Sequence, residues 1–132
     1  MQVTKDNINE FIDGTTMYCS NKGITYIEYI PDHITHLYCG DNKLTELPKL
    51  PNGLIYLNCR NNKLTELPIL PENLEHLYCY KNKLTELPRL PDSLKSLHCN
   101  TNNNLPYEVT IENFKEHNKL IKRKEILKRI CA

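Results

Sequence analysis

The 132 residues amount to about one domain, which leaves no room for a separate catalytic domain beside a binding one. Seventeen basic and sixteen acidic side chains nearly cancel, so overall charge argues neither for a nucleic-acid polyanion nor for a membrane surface. Six cysteines in so short a chain would ordinarily suggest a secreted disulfide framework, and their positions must decide that.

The N-terminal MQVTKDNINE has no apolar signal core, and no later stretch is long enough to span a bilayer. Residues 1–13 read as a capping helix: Ile8, Phe11 and Ile12 share helical spacing between Thr4 and Asp13, and Gly14 follows as a C-terminal stop. Five cysteines then fall at 19, 39, 59, 79 and 99, a spacing of twenty that marks a repeat. Three copies are nearly identical: Ile34-x-x-Leu37-x-Cys39-x-x-Asn42-x-Leu44, and the same pattern from Leu54 and from Leu74. Each is followed by Thr-Glu-Leu-Pro-x-Leu-Pro, at 45–51, 65–71 and 85–91. A weaker first copy keeps Met17, Cys19, Ile24, Ile27, Ile30 and Pro31 in register but has Lys22 where Asn is expected. A fifth runs Leu94, Leu97, Cys99, Asn102, then slips by one residue to Leu105 and stops. The repeats therefore span 14–33, 34–53, 54–73, 74–93 and, in part, 94–105.

Alternating apolar residues, as in Tyr56-Leu57-Asn58-Cys59, predict one short strand per turn, paired in parallel with its neighbours. Asn42, Asn62, Asn82 and Asn102 fall where the chain leaves the sheet, and a buried amide there can serve backbone groups that no ladder satisfies. Two prolines exclude a helix from the second half of each repeat, so the outer wall is expected to be extended or polyproline-like. No single turn can bury its leucines alone, so stability must come from stacking and the ends must be capped. Residues 106–132 form the second predicted cap. Thr110 through Arg129 places Ile111, Phe114, Leu120, Ile121, Leu127 and Ile130 on an amphipathic helix with Thr110 as N-cap.

Cysteines stacked about 5 Å apart on one face point the same way and do not converge for cross-linking. They read as free thiols acting as small core hydrophobes, with partial oxidation and zinc as the weaker alternatives. His98 faces away from Cys99, against a zinc site. Free thiols imply a reducing compartment, hence the cytoplasm. Charge is uneven: 105–132 carries seven basic and four acidic residues. Lys119, Lys122, Arg123, Lys128 and Arg129 make a secondary basic patch there, either a solvated cap surface or a site for RNA, an acidic partner or membrane headgroups.

The outward strand positions form three columns: Thr16, His36, Tyr56, His76, Ser96; then Tyr18, Tyr38, Asn58, Tyr78, His98; then Ser20, Gly40, Arg60, Tyr80, Asn100. Five Tyr, three His and one Arg, with no Asp, Glu or Lys, resemble an interface core. The competing reading is that tyrosines merely suit strands. Tyr38, Tyr56, Arg60, His76, Tyr78, Tyr80 and His98 are the expected contact set. The flat area, about 14 by 19 Å, is well under the roughly 800 Å² of a standard interface. A short peptide or loop would suit it, or a protein that also uses the flanks. His36 and His76 lie about 10 Å apart, and His76 and His98 about 8 Å, too far to share a metal. No catalytic residue, metal or cofactor is assigned; His33 and His117 read as surface residues.

The unit Leu-x-x-Leu-x-Cys-x-x-Asn-Lys-Leu-Thr-Glu-Leu-Pro-x-Leu-Pro resembles the short twenty-residue class of leucine-rich repeats, known from secreted bacterial effectors of the YopM and IpaH kind. Cysteine at the consensus valine position, with abundant Asn, Lys and Ile, is similar to the repeat proteins of giant DNA viruses such as mimivirus. The resemblance implies an α/β repeat fold: a right-handed leucine-rich-repeat solenoid with parallel strands on a concave face, an extended convex side and helical caps at both ends. It also implies a viral protein that binds other proteins in a host cytoplasm or virus factory. The effector ubiquitin ligases add a large catalytic domain, which residues 106–132 cannot supply, so that activity is not carried over to Cys131. The expectation is a non-enzymatic protein-binding module, monomeric or end-stacked. The alternative is a nucleic-acid-binding or virion structural protein acting through the basic helix.

Overall fold

The computed structural model describes residues 1–101 and 103–131. In chain order it has β1 (Gln2–Val3), a 3-10 turn (Ile8–Phe11), β2 (Ile12–Asp13), β3 (Thr16–Tyr18), β4 (Tyr26–Ile27), β5 (His36–Tyr38), β6 (Tyr56–Asn58), β7 (His76–Tyr78), β8 (Ser96–His98) and α1 (Phe114–Cys131). The chain is a solenoid of about five turns, in which β3, β5, β6, β7 and β8 are parallel neighbours. Met17, Leu37, Leu57, Leu77 and Leu97 stand directly in register. All five are buried, as are Cys19, Cys39, Cys59, Cys79 and Cys99, so the period of two along each strand becomes two continuous core columns. Leu44, Leu54, Leu64, Leu74 and Leu84, each fully buried, fill the space between sheet and outer wall. That wall is extended, and each second proline opens a turn: Leu54 N–H donates to the Pro51 carbonyl at 3.1 Å and Leu74 N–H to that of Pro71 at 3.2 Å.

At the corners after β3, β5, β6 and β7 the backbone passes through a left-handed residue: Asn21, Asp41, Asn61 and Lys81 have φ of 55, 56, 52 and 57°. Asn and Asp tolerate that region; Lys81 carries the larger strain. The corner leaves carbonyls turned inward, and the next asparagine satisfies them. Asn62 Nδ2 donates to the Cys39, Cys59 and Arg60 carbonyls at 3.1, 3.0 and 3.2 Å, while its Oδ1 accepts from Leu44 N–H at 3.0 Å. Asn42 and Asn82 repeat the arrangement one turn below and above. Asn102 lies outside the described residues. In the last turn Asn103 does this work, bonding the Cys79 and Cys99 carbonyls and Leu84 N–H; the one-residue slip in the repeat moved the amide with it.

The expected helix over 1–13 does not form. Residues 2–3 are drawn into β1 against β4, and Ile12 pairs with Met17 across a two-residue turn headed by Gly14 at φ 62°. Asn7 accepts from Thr4 N–H at 2.8 Å and donates to the Gln2 carbonyl at 2.9 Å, the local bonding by which Asn competes with helix. What remains is the single 3-10 turn, which still buries Ile8 and Phe11 at their spacing of three. At the other end α1 starts one turn later than expected, after reciprocal bonds between Thr110 and Asn113. It is a cap only in its first turns. Phe114 and His117 are buried, whereas Leu120, Ile126, Leu127 and Ile130 are exposed, Ile130 at 73%. His117 is a core residue rather than a surface one. One ring nitrogen lies 3.0 Å from the Pro88 carbonyl and the other 2.7 Å from the Tyr107 hydroxyl, which docks α1 on the proline wall. Asn118 adds bonds to both backbone groups of Leu90. No described helix is long and apolar enough to cross a membrane.

Replacing Asn62 by Ala strands one N–H and up to three carbonyls in the core, so a loss of about 2–4 kcal/mol is expected from urea or thermal unfolding. The thiols give a second expectation. Burial pushes Cys19 and Cys59 up to about 12 from an ordinary 9.0. Cys39 is raised well above that by burial and its neighbouring thiols, and Cys79 by its hydrogen bond with Cys99 and by burial. A raised thiol favours the protonated native form, so its stabilisation is complete below about pH 9 and is lost as pH climbs toward 12. Unfolding free energy should therefore fall above about pH 9, by roughly 1.4 kcal/mol per pH unit for each such thiol. Cys59→Val should flatten that fall. Iodoacetamide at neutral pH should modify Cys131, the one exposed thiol, and reach the other five only after denaturation.

Candidate binding face

Strand register decides which side chains share the sheet's outer face. Tyr18 and Tyr38 occupy adjacent rungs and stack at 5.6 Å with an interplanar angle of 5°. Tyr78 and His98 do the same at 5.0 Å and 8°. Between them the column holds the small Asn58, and Tyr56 leans across from the neighbouring column to fill the gap. Its ring lies 4.8 Å from Tyr38 and 5.6 Å from Tyr78. Tyr18, Tyr38, Tyr56, Tyr78 and His98 thus form one unbroken ladder over five rungs. His36 and His76 flank Tyr56 at 5.9 and 6.0 Å. Each aromatic contact contributes about 0.5–1.5 kcal/mol beyond its area, so the rings hold one another in place before any partner arrives.

The remaining two members of the expected set lie at the corner side of the face. Arg60 Nη1 donates to the Tyr80 hydroxyl at 3.1 Å, and Nη2 reaches Asp41 at 3.5 Å. Gly40 makes room for this: a Cβ there would sit 3.0 Å from Arg60 Cγ and 3.2 Å from the Arg60 carbonyl. Gly40 is therefore buried beneath Arg60 and is not an exposed position of the third column. The Tyr80 hydroxyl and Asp41 hold the Arg60 guanidinium further above its ordinary range, so it stays charged and locally neutralised. Burial and the neighbouring phenols of Tyr56 and Tyr18 push Tyr38 above 10.0, leaving it neutral at physiological pH. The face is thus an aromatic strip without Asp, Glu or Lys, with one internally paired cation at its border.

Its hydrogen-bonding groups are partly committed. His36 Nδ1 lies 2.9 Å from Thr35 Oγ1, and His76 Nδ1 2.9 Å from Ser96 Oγ. The Ser96–His76 pair joins a hydroxyl and a base from adjacent rungs of one column. Among the described residues no carboxylate bonds the other nitrogen of His76, so the orienting group of a Ser–His nucleophile is missing. Nor do any three His, Cys, Asp or Glu among the described residues gather as metal ligands. Tyr18, 52% exposed and stacked at the end of the ladder, belongs to the strip although it stood outside the expected set; its repeat is the least regular one. His33 is exposed as expected.

Among the expected basic residues of α1, Lys128 stands apart from the other four. Lys128 faces a groove of about 410 Å³ between the helix and the wall at Ile69, Leu87 and Tyr107. Lys119 and Lys122 lie on another side beside Arg89 and Asp92, and Lys119 pairs with Glu116 at 3.2 Å. At 100° per residue Arg123 lies about 40° from Lys119 and Arg129 about 20° from Lys122, so these four share that side.

Gly40→Ala presses on backbone as well as on the Arg60 stem, so it should cost about 1–3 kcal/mol in thermal unfolding. It should also release the Tyr80 hydroxyl, visible as a shift of the Tyr80 ring resonances.

The chain matches no known family model and no characterised protein sequence, and the role of the face rests on its own chemistry.

Proposed function

We propose that this chain is a non-enzymatic interaction module of the leucine-rich-repeat type that binds a protein, through a peptide or loop, on its Tyr/His strip. The observation that carries this reading is the unbroken ring ladder from Tyr18 to His98, on a molecule that elsewhere exposes charged columns such as Lys43, Lys63, Lys83 and Glu46, Glu66, Glu86. Large, rigid rings with hydroxyl and imidazole edges give contact area at low conformational cost, which is how paratopes and hot spots are built. Five buried thiols without disulfides favour a reducing compartment such as the cytoplasm. The helix reading has less support, because its cations are interspersed with Glu116, already paired with Lys119, and with Glu125 beside Lys122.

The test is a Tyr56→Ala, Tyr78→Ala, Tyr80→Ala triple variant, first shown to be folded by circular dichroism. Affinity capture from the source cell should then lose its partner, and a purified complex should weaken at least tenfold, with little dependence on salt. Retention of every captured partner by the folded triple variant would sink the proposal. So would a steep salt slope abolished by removing residues 118–132, which would transfer the function to α1.

A further inference from the structure

The two edges of the main sheet differ. The first is closed by β2, which turns back antiparallel on β3. The last strand, β8, has no strand beyond it among the described residues. In every lower turn the cysteine N–H donates to the next rung: Cys19 to the Tyr38 carbonyl at 2.7 Å, Cys39 to Asn58 at 2.9 Å, Cys59 to Tyr78 at 2.8 Å and Cys79 to His98 at 2.9 Å. The carbonyls of Thr15, Thr35, Ile55 and Glu75 likewise accept from the rung above at 2.7–2.8 Å. The equivalent groups of the last turn are the Cys99 N–H and the Lys95 carbonyl, and neither has a backbone partner among the described residues.

Segment 108–112 passes beside this edge without pairing to it. It is held off by Asn100, whose side chain accepts from Val109 N–H at 2.9 Å and donates to its carbonyl at 2.8 Å. An open cavity of about 720 Å³ lies here, lined by β8, by Glu108 and Glu112, and by Tyr78, Tyr80 and His98. Lys95 is already paired with Glu75 at 3.1 Å, whereas Glu108 and Glu112 have no ion-pair partner among the described residues.

We propose that an extended peptide bearing a Lys or Arg side chain docks here as a further parallel strand on β8, its cation between the Tyr78, Tyr80 and His98 rings and the carboxylates of Glu108 and Glu112. Main-chain pairing supplies the anchor, as in other strand-addition complexes, and the aromatic and acidic walls supply the selectivity. The added residue opposite His98 continues the ring ladder, so the docked strand becomes the next rung of the strip. The inference rests on the reading of that strip as a binding face.

The probe is a phage-displayed library of random linear heptapeptides selected on the full chain, with the enriched peptides synthesised and their affinities read by fluorescence anisotropy. Lys or Arg should dominate one position, and a Glu108→Gln, Glu112→Gln variant should bind about five- to tenfold more weakly. N-methylation of the peptide at alternate residues should cost at least about tenfold and at the intervening ones little, the two-residue period of strand pairing. Amide exchange at Leu97 and Cys99 should slow in the complex. Peptides that need Tyr38 and Tyr56 but ignore both glutamates, or that tolerate N-methylation throughout, overturn this inference and leave the binding face standing. Peptides indifferent to the glutamates and the tyrosines alike overturn both. Failure to enrich any peptide overturns the inference, because an extended segment alone should suffice.

Discussion

Every corner of the coil turns carbonyls from two successive turns toward the core, and a buried carbonyl without a donor costs about 1–3 kcal/mol. Asn42, Asn62, Asn82 and Asn103 meet that demand with one amide each, bonding to the turn below and to their own. The amide therefore works as a spacer as well as a donor. It holds successive turns at the sheet distance, and the parallel register of Leu37, Leu57 and Leu77 depends on that separation. Leucine burial supplies more free energy in total, but it is non-directional and would tolerate a slipped coil. The asparagines remove that freedom.

Register in turn builds the outer face. A slip of one residue would carry every outward side chain into the core, so the same amides that pin the corners keep Tyr38, Tyr56 and Tyr78 outward and a rung apart. Within that constraint small residues do the local shaping. Asn58 leaves the gap that Tyr56 crosses, and Gly40 leaves the floor on which Arg60 lies. The strip is continuous because its columns are not uniform: a tyrosine at 58 would displace Tyr56 from the place where it joins both halves.

Periodicity made the columns legible before any coordinates, since a repeat of twenty lines up Leu37, Leu57 and Leu77 without knowledge of distances. It also located three of the corner asparagines, Asn42, Asn62 and Asn82, though it put the fourth at 102 instead of 103. It was silent wherever a position has no counterpart a turn away. Ile8, Phe11 and Ile12 satisfy helical spacing, yet pairing of β1 with β4 and of β2 with β3 outweighs a helix too short to persist alone. His117 has no repeat partner, and only the nearness of Pro88 and Tyr107 makes it a core residue. Apolar residues of the final helix looked equivalent in the pattern, but the side that docks carries Phe114, His117 and Ile121, while Leu127 and Ile130 lie on other sides and stay exposed. The Arg60, Tyr80 and Asp41 triangle was hidden for a related reason: it joins three different turns at two different repeat positions.

A solenoid that propagates by identical bonds has no internal reason to stop, so each end must be terminated by something foreign to the repeat. The first end is terminated by reversal of strand direction, which consumes the donors and acceptors that β3 would present to another parallel rung. The second is terminated in the core but not at the sheet. Val109 and Phe114 cover the last leucines, and Asn103 completes the last corner, while β8 keeps its outward ladder groups. Exposed edges of this kind invite uncontrolled pairing with other chains. Here the edge is short, three residues in β8, and is fenced by segment 108–112 with its two unpaired carboxylates. A flat second copy of the sheet would meet that fence, whereas a single extended strand fits between it and β8. Under the proposed docking, the last rung takes one extended strand in place of another copy of the solenoid.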